Sequence, residues 1–197
     1  MANELIINVT DHETRVALLE DRVLAELYIE RTKDRGIMGN IYKGKVVKVL
    51  PGMQAAFVDI GLEKAAFLYV SDVYGGIEEY EEMGLQGEEI PAYFSSASSQ
   101  IEDLLSGGQE ILVQVSKEPL GTKGTRITSL TTLPGRYLVY MPLVDHIGVS
   151  RRIKDEKERK RLKEIIQSMK PPSGGFIVRT ASEGAEADEI RTDMEFL

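Results

Sequence analysis

The sequence predicts an α+β chain built in several parts, and three observations predict it. Short runs rich in Val, Ile and Leu, separated by polar turns, fill most of the chain up to Ser129. Apolar residues at helical spacing appear only after Lys154. One long acidic and serine-rich excursion, Ser71 to Gln100, interrupts the strand-rich part. With 197 residues, 42% of them hydrophobic, the chain can bury a real core and suits one large domain or two small ones.

Leu5 to Thr10, Glu13 to Leu19 and Val23 to Ile29 read as an antiparallel meander turning at Asp11-His12 and Glu20-Asp21-Arg22. Three strands alone rarely make a stable domain. Arg31 to Gly39, with charges and two glycines, reads as a linker, which gives a first part over 1–39. A second part covers 40–129. Its strands are Asn40 to Leu50, Gln54 to Gly61 and Ala65 to Val70, then, beyond the excursion, Glu110 to Lys117 and Thr125 to Ser129, the last two joined by Leu120-Gly-Thr-Lys-Gly124. Five strands with an interruption after the third match an OB-fold barrel. The third part, 130–197, is expected to hold a strand at Arg136 to Met141, a helix from Lys154 to Met169 stopped by Pro171-Pro172, a strand at Phe176 to Thr180, and a helix from Glu186 to Leu197.

The net charge of −8 argues at first against a polyanionic partner. Its distribution weakens that argument, because six acids and no base lie between Ile77 and Ile90 and supply most of the imbalance. The absence of cysteine excludes disulfides, thiolate metal sites and cysteine nucleophiles, and suits a reducing cytoplasm. Met1-Ala-Asn-Glu-Leu-Ile-Ile-Asn8 fits neither a signal peptide nor a membrane span.

Alternation in the second barrel strand sets Ala56, Val58 and Ile60 on one face and Phe57 with Asp59 on the other. A phenylalanine sharing a face with an aspartate is expected on the wet side. With Phe67 on the next strand it makes a stacking platform, and Lys43, Lys45 and Lys48 flank it, a combination suited to single-stranded nucleic acid. The competing reading of two such phenylalanines is barrel core. Lys123, in a glycine-flanked turn, is within reach of a phosphate or is simply solvated. Arg179-Thr180 is the second constellation, a guanidinium fork and a hydroxyl where a strand gives way to a turn and a helix start. An ion pair of Arg179 with Glu183 or Glu186 is the plain alternative. The tract opened by Arg151-Arg152 is interleaved with acids and reads as a solvated helix face. His12 and His146 lie in predicted turns, and the sequence shows neither metal-ligand spacing nor a nucleophile motif.

Five ordered blocks carry a resemblance over essentially the whole chain: Gly39-Asn-Ile-Tyr-Lys-Gly-Lys45, Gln54-Ala-Ala-Phe-Val-Asp-Ile-Gly61, Leu120-Gly-Thr-Lys-Gly124, Gly148-Val-Ser-Arg-Arg152 and Gly175-Phe-Ile-Val-Arg-Thr-Ala181. The sequence resembles the first part of the bacterial ribonuclease E/G family, on the ribonuclease G side. The resemblance implies a partial ribonuclease H-like subdomain at 1–39, an inserted S1 domain at 40–129 and a 5′ sensor at 130–197. It implies that Phe57, Phe67 and Lys123 contact single-stranded RNA. It also implies that Arg179 and Thr180 hold a 5′-terminal monophosphate, with backbone near Gly135 and Val139 lining the pocket and Arg151 assisting. In the family, cleavage is Mg²⁺-dependent hydrolysis by aspartates of a later domain and serves ribosomal RNA processing and messenger RNA decay. The chain is therefore expected to be an inactive piece of a cytoplasmic, homo-oligomeric endoribonuclease, without a metal site or membrane segment of its own. Ribonuclease E-type members carry lysines where Ile37 and Met38 stand. Two rival expectations remain: a non-catalytic S1-type module serving translation or RNA chaperoning, and a protein-binding role for the acidic loop 77–90.

Overall fold

A computed structural model describes residues 3–73, 100–119 and 124–197, so the acidic loop 77–90 and Lys123 lie outside the described residues. The chain divides into two compact units, Met1–Ile37 and Met38–Leu197.

The first unit is an antiparallel sheet of β1 (Asn3–Val9), β2 (Glu13–Glu20) and β3 (Val23–Arg31), in that order. Asp21 and Arg22 both take positive φ, 49° and 66°, which is the two-residue hairpin geometry that matches strand twist. Leu5, Ile7, Leu27 and Ile29 stay more than half exposed, so the sheet has no buried core of its own.

The second unit opens with a closed barrel of β4 (Ile41–Leu50), β5 (Ala55–Asp59), β6 (Ala66–Tyr69), β7 (Glu110–Lys117) and β8 (Arg126–Thr128), in the order β4-β5-β6-β8-β7. Only β6 and β8 run parallel. This is the five-stranded barrel read from the sequence, of OB type. Val46, Val58, Leu68, Val113 and Ile127 are among its buried residues, and the short helix α1 (Ile101–Leu104) adds Ile101. Gly44 lets β4 and β5 approach, since a Cβ there would lie 2.6 Å from Val58 Cγ1. A bulge between Val46 and Lys48 turns Val47 out to solvent and sets Lys48 opposite Phe57.

The rest of this unit is a four-stranded sheet in the order β11-β12-β10-β9, formed by β9 (Leu133–Pro134), β10 (Leu138–Met141), β11 (Ile147–Val149) and β12 (Gly175–Val178). Helix α2 (Glu156–Met169) packs on β11 and β12, and α3 (Ala187–Phe196) packs on β10. Leu138, Leu162, Ile166, Phe176, Val178 and Ile190 make the core between sheet and helices. Gln114 joins barrel and sheet: its amide nitrogen donates to the Gly39 and Thr132 carbonyls, and its oxygen accepts from Thr132 N–H, all at 2.9–3.0 Å.

Most element ends shift by one or two residues from the sequence reading, and for two of them the physical reason is visible. Helix α2 starts at Glu156 rather than Lys154 because Asp155 is its N-cap, accepting from the Lys157 N–H at 2.9 Å. β10 starts at Leu138 rather than Arg136 because its pairing with β12 begins there, opposite Val178, while the two residues before it turn their N–H groups to Asp193. β9 and β11 were not expected at all.

Candidate nucleic-acid interface and anion pocket

On the barrel wall, Ala56, Val58 and Ile60 point inward and are buried, while Phe57 is half-buried and Asp59 exposed on the outer face. Phe57 and Phe67 sit opposite one another across β5 and β6, their centroids 5.4 Å apart and edge to face. The barrel-core reading of this pair is therefore not the one realised. Tyr69 continues the row at 4.4 Å from Phe67, and the Arg126 guanidinium lies 5.0 Å from the Tyr69 ring centroid. Asp72, 3% exposed, holds Arg126 through two bonds of 2.6 and 2.8 Å. The result is a strip, Phe57–Phe67–Tyr69–Arg126, with rings on an accessible face and a fixed cation at one end. The sequence reading missed Tyr69 and Arg126; the signal was available in Tyr69, which lies two residues after Phe67 and so shares its face.

The three flanking lysines are not equivalent. Lys48, exposed, is the cross-strand neighbour of Phe57. Lys45 faces Asp59 in register, and Lys43 is bound to Glu110 of β7 at 2.6 Å, which holds the Glu110 carboxyl below its usual range.

The second constellation lies where β11 and β12, which run parallel, end side by side. Val149 pairs with Val178, and the Ser150 N–H donates to the Val178 carbonyl at 2.9 Å. This sets the start of Ser150-Arg151 beside Arg179-Thr180, and the Ser150 and Thr180 hydroxyls meet at 3.2 Å. The Arg159 guanidinium braces the loop by donating to the carbonyls of Val149, Ser150 and Ile153, with 2.8 Å to Ser150. From the other side, Arg179 Nη1 donates to the Gly135 carbonyl, and the Arg179 N–H donates to the Tyr137 carbonyl at 2.8 Å. Val139 lies further along β10, opposite Ile177.

Gly135, Arg179, Thr180 and Ser150 thus share one spot, with Arg151 next in sequence to Ser150. Among the described residues Arg179 makes no ion pair with Glu183 or Glu186; Glu186 instead caps α3 in a box with Glu189. The helix expected from Glu186 is present, with Glu186 as its N-cap. Thr180 itself opens a 3₁₀ turn to Ser182, and α3 begins at Ala187 under its own cap, seven residues further along the chain. What that spot offers an anion is a guanidinium clamped by a carbonyl and a pair of hydroxyls.

Among the described residues no group of three His, Cys, Asp or Glu side chains converges as metal ligands, so no donor set for Mg²⁺ is assembled there. No described helix is long and apolar enough to cross a membrane.

A closed five-stranded barrel with rings in a row on its wall belongs to a class of fold that recurs among single-strand nucleic-acid binders. Residues 132–197 match the model of the ribonuclease E/G family. The whole chain is 53% identical over 196 residues to ribonuclease G of Haemophilus influenzae, of which it covers 38%. It is 51% identical over 197 residues to ribonuclease G of Escherichia coli, covering 39% of that protein. Ribonuclease E of Escherichia coli is 39% identical over 196 residues, 98% of this chain and 17% of that protein. The chain belongs to the ribonuclease E/G family. It spans about two-fifths of the length of the ribonuclease G proteins it matches.

Proposed function

We propose that this chain is the RNA-gripping and end-reading part of an endoribonuclease that acts in RNA processing and decay. The barrel serves as an S1 domain whose strip, from Phe57 to Arg126, stacks the bases of single-stranded RNA, with Lys48 and Lys123 on the backbone. Residues 130–197 serve as the 5′ sensor. A 5′-terminal monophosphate carries more charge than an internal phosphodiester, and it is received by Arg179 with Thr180, Ser150 and Arg151, beside the backbone of Gly135 and Val139. The first sheet serves as a piece of a ribonuclease H-like subdomain. Mg²⁺-dependent hydrolysis belongs to residues outside these 197.

The observation that carries this reading is the clamped Arg179 fork beside the paired Ser150 and Thr180 hydroxyls. A fork fixed in advance loses little freedom on binding a phosphate. Two fluorescent oligoribonucleotides of one sequence, one 5′-monophosphorylated and one 5′-hydroxyl, test it by anisotropy titration. The monophosphorylated RNA binds more tightly, and Arg179→Ala brings it to the affinity of its hydroxyl counterpart. Equal binding of both ends by the unmutated chain, or an undiminished preference in Arg179→Ala, would refute the end-reading function. With Mg²⁺ the purified chain leaves RNA intact; sustained cleavage would move the active site into it.

A further inference from the structure

Asp193 lies in α3, far in sequence from the pocket, yet its carboxylate is filled by that pocket's backbone. The Arg136 N–H donates to Oδ1 at 3.0 Å, and the Tyr137 and Leu138 N–H groups donate to Oδ2 at 2.8 and 2.9 Å. Three successive amides converging on one anion form the concave nest by which backbone ordinarily captures phosphate or carboxylate ligands. Here the anion is internal.

The consequence falls on the opposite side of the same segment. With the three N–H groups held toward α3, the neighbouring carbonyls face the other way: Gly135 C=O receives Arg179 Nη1, and Tyr137 C=O receives both the Arg179 N–H and the Ser182 hydroxyl, the latter at 2.7 Å. Gly135 is fitted to this arrangement, because a Cβ there would lie 2.5 Å from Asp193 Oδ2. One turn earlier on α3, Glu189 accepts the Tyr137 hydroxyl at 2.9 Å and fixes the side chain of the middle residue of the nest. That bond is the main reason the Tyr137 hydroxyl titrates above its usual range.

We propose that Asp193 is the positioning residue of the anion pocket: by filling the 136–138 nest it fixes the Gly135 carbonyl that clamps the Arg179 guanidinium in place for a terminal phosphate. This deepens the end-reading function and rests on it. Asp193 touches no phosphate itself. Its loss leaves three amides without their acceptor, lets the 135–138 turn relax, and releases the Arg179 fork into many rotamers.

The test uses the same pair of labelled RNAs with the unmutated chain, Asp193→Ala, Asp193→Asn and Arg179→Ala. The ratio of affinities for monophosphate over hydroxyl ends is the readout. It falls to below about twofold in Asp193→Ala and drops by a factor of at least about three in Asp193→Asn, while affinity for the 5′-hydroxyl RNA changes by less than about twofold, since the barrel strip is untouched. Asn keeps the shape and places an NH₂ where one accepting oxygen stood, so it decides the matter if the Ala variant does not fold. An undiminished ratio in the folded variants, or a parallel loss of affinity for both RNAs, overturns the proposal. An unmutated chain with no end preference, or a preference that survives Arg179→Ala, refutes the end-reading function instead, so the two failures are distinguishable.

Discussion

Phe57 and Val58 are adjacent in β5 and point to opposite sides of the barrel wall, so truncating each should damage a different property. Val58 is fully buried. Replacing it with Ala removes two methyl groups from a close-packed interior, about 1.5 kcal/mol by transfer and about 2 to 3 kcal/mol once the cavity is counted. In a chain of this size that lowers the melting midpoint by roughly 4 to 12 °C. Phe57 is only half-buried, and its specific contact is the edge-to-face pair with Phe67 at 5.4 Å, worth about 0.5 to 1.5 kcal/mol. A base stacked on it contributes about 1 to 3 kcal/mol, so Phe57→Ala weakens single-stranded RNA binding by about fivefold to 150-fold and costs less stability than Val58→Ala. Anisotropy titration of an unstructured oligoribonucleotide and thermal melting by circular dichroism measure the two effects. RNA affinity unchanged in Phe57→Ala, with destabilisation matching Val58→Ala, would refute the assignment of Phe57 to the outer, binding face.

Three further outcomes follow from other parts of the molecule. Glu158 takes two bonds of 2.7 Å from Arg161 and one of 2.9 Å from the Gly184 N–H, and these, Arg161 first, hold its carboxyl down to about 2. A lowered folded-state value means stability that is complete above the ordinary glutamate range and lost as pH falls from about 4.5 towards 2; with Arg161 partly exposed this amounts to about 1 to 2 kcal/mol, and Glu158→Gln should show a flatter fall in melting midpoint across that interval. Gly44→Ala drives a Cβ into Val58 and should destabilise the chain by about 1 to 3 kcal/mol in denaturant titration, without altering the end preference. Lys48→Gln should lower the dependence of log affinity on log salt by about 0.7, one single-strand phosphate contact, whereas Lys43→Gln, which removes a lysine already bound to Glu110, should leave that slope unchanged.

Strands were legible in this sequence wherever a period of two persisted for five or more residues, as in Ala55–Asp59, because burial of one face fixes the alternation. β11 escaped because Ile147-Gly-Val149 is short, with a glycine at its centre, and its parallel pairing with β12 joins residues far apart in the chain. The approach of Ser150 to Thr180 follows from that pairing and was hidden with it. Arg179 and Thr180 stood out by residue type and by their place between a strand and a turn, but the Gly135 carbonyl and the Ser150 hydroxyl that meet them could not be read from that stretch. Asp193 was invisible for a different reason. On an acidic helix an aspartate looks like one more solvated charge, and only the chain reversal that brings 136–138 against α3 reveals its three donors. Tyr69 needed only the alternation already applied to Phe57, while Arg126 needed the barrel closure that pairs β8 with β6.

The proposed function requires two separable contacts with RNA on one chain, a stacking strip and an end pocket. A double-mutant cycle with Phe57→Ala and Arg179→Ala, each measured against monophosphorylated and hydroxyl-ended RNA of one sequence, addresses it most directly. The expected outcome is that Phe57→Ala weakens both RNAs by the same factor, that Arg179→Ala weakens only the monophosphorylated one, and that the double variant shows the product of the two. Loss of the end preference in Phe57→Ala, or equal weakening of both RNAs by Arg179→Ala, would contradict it.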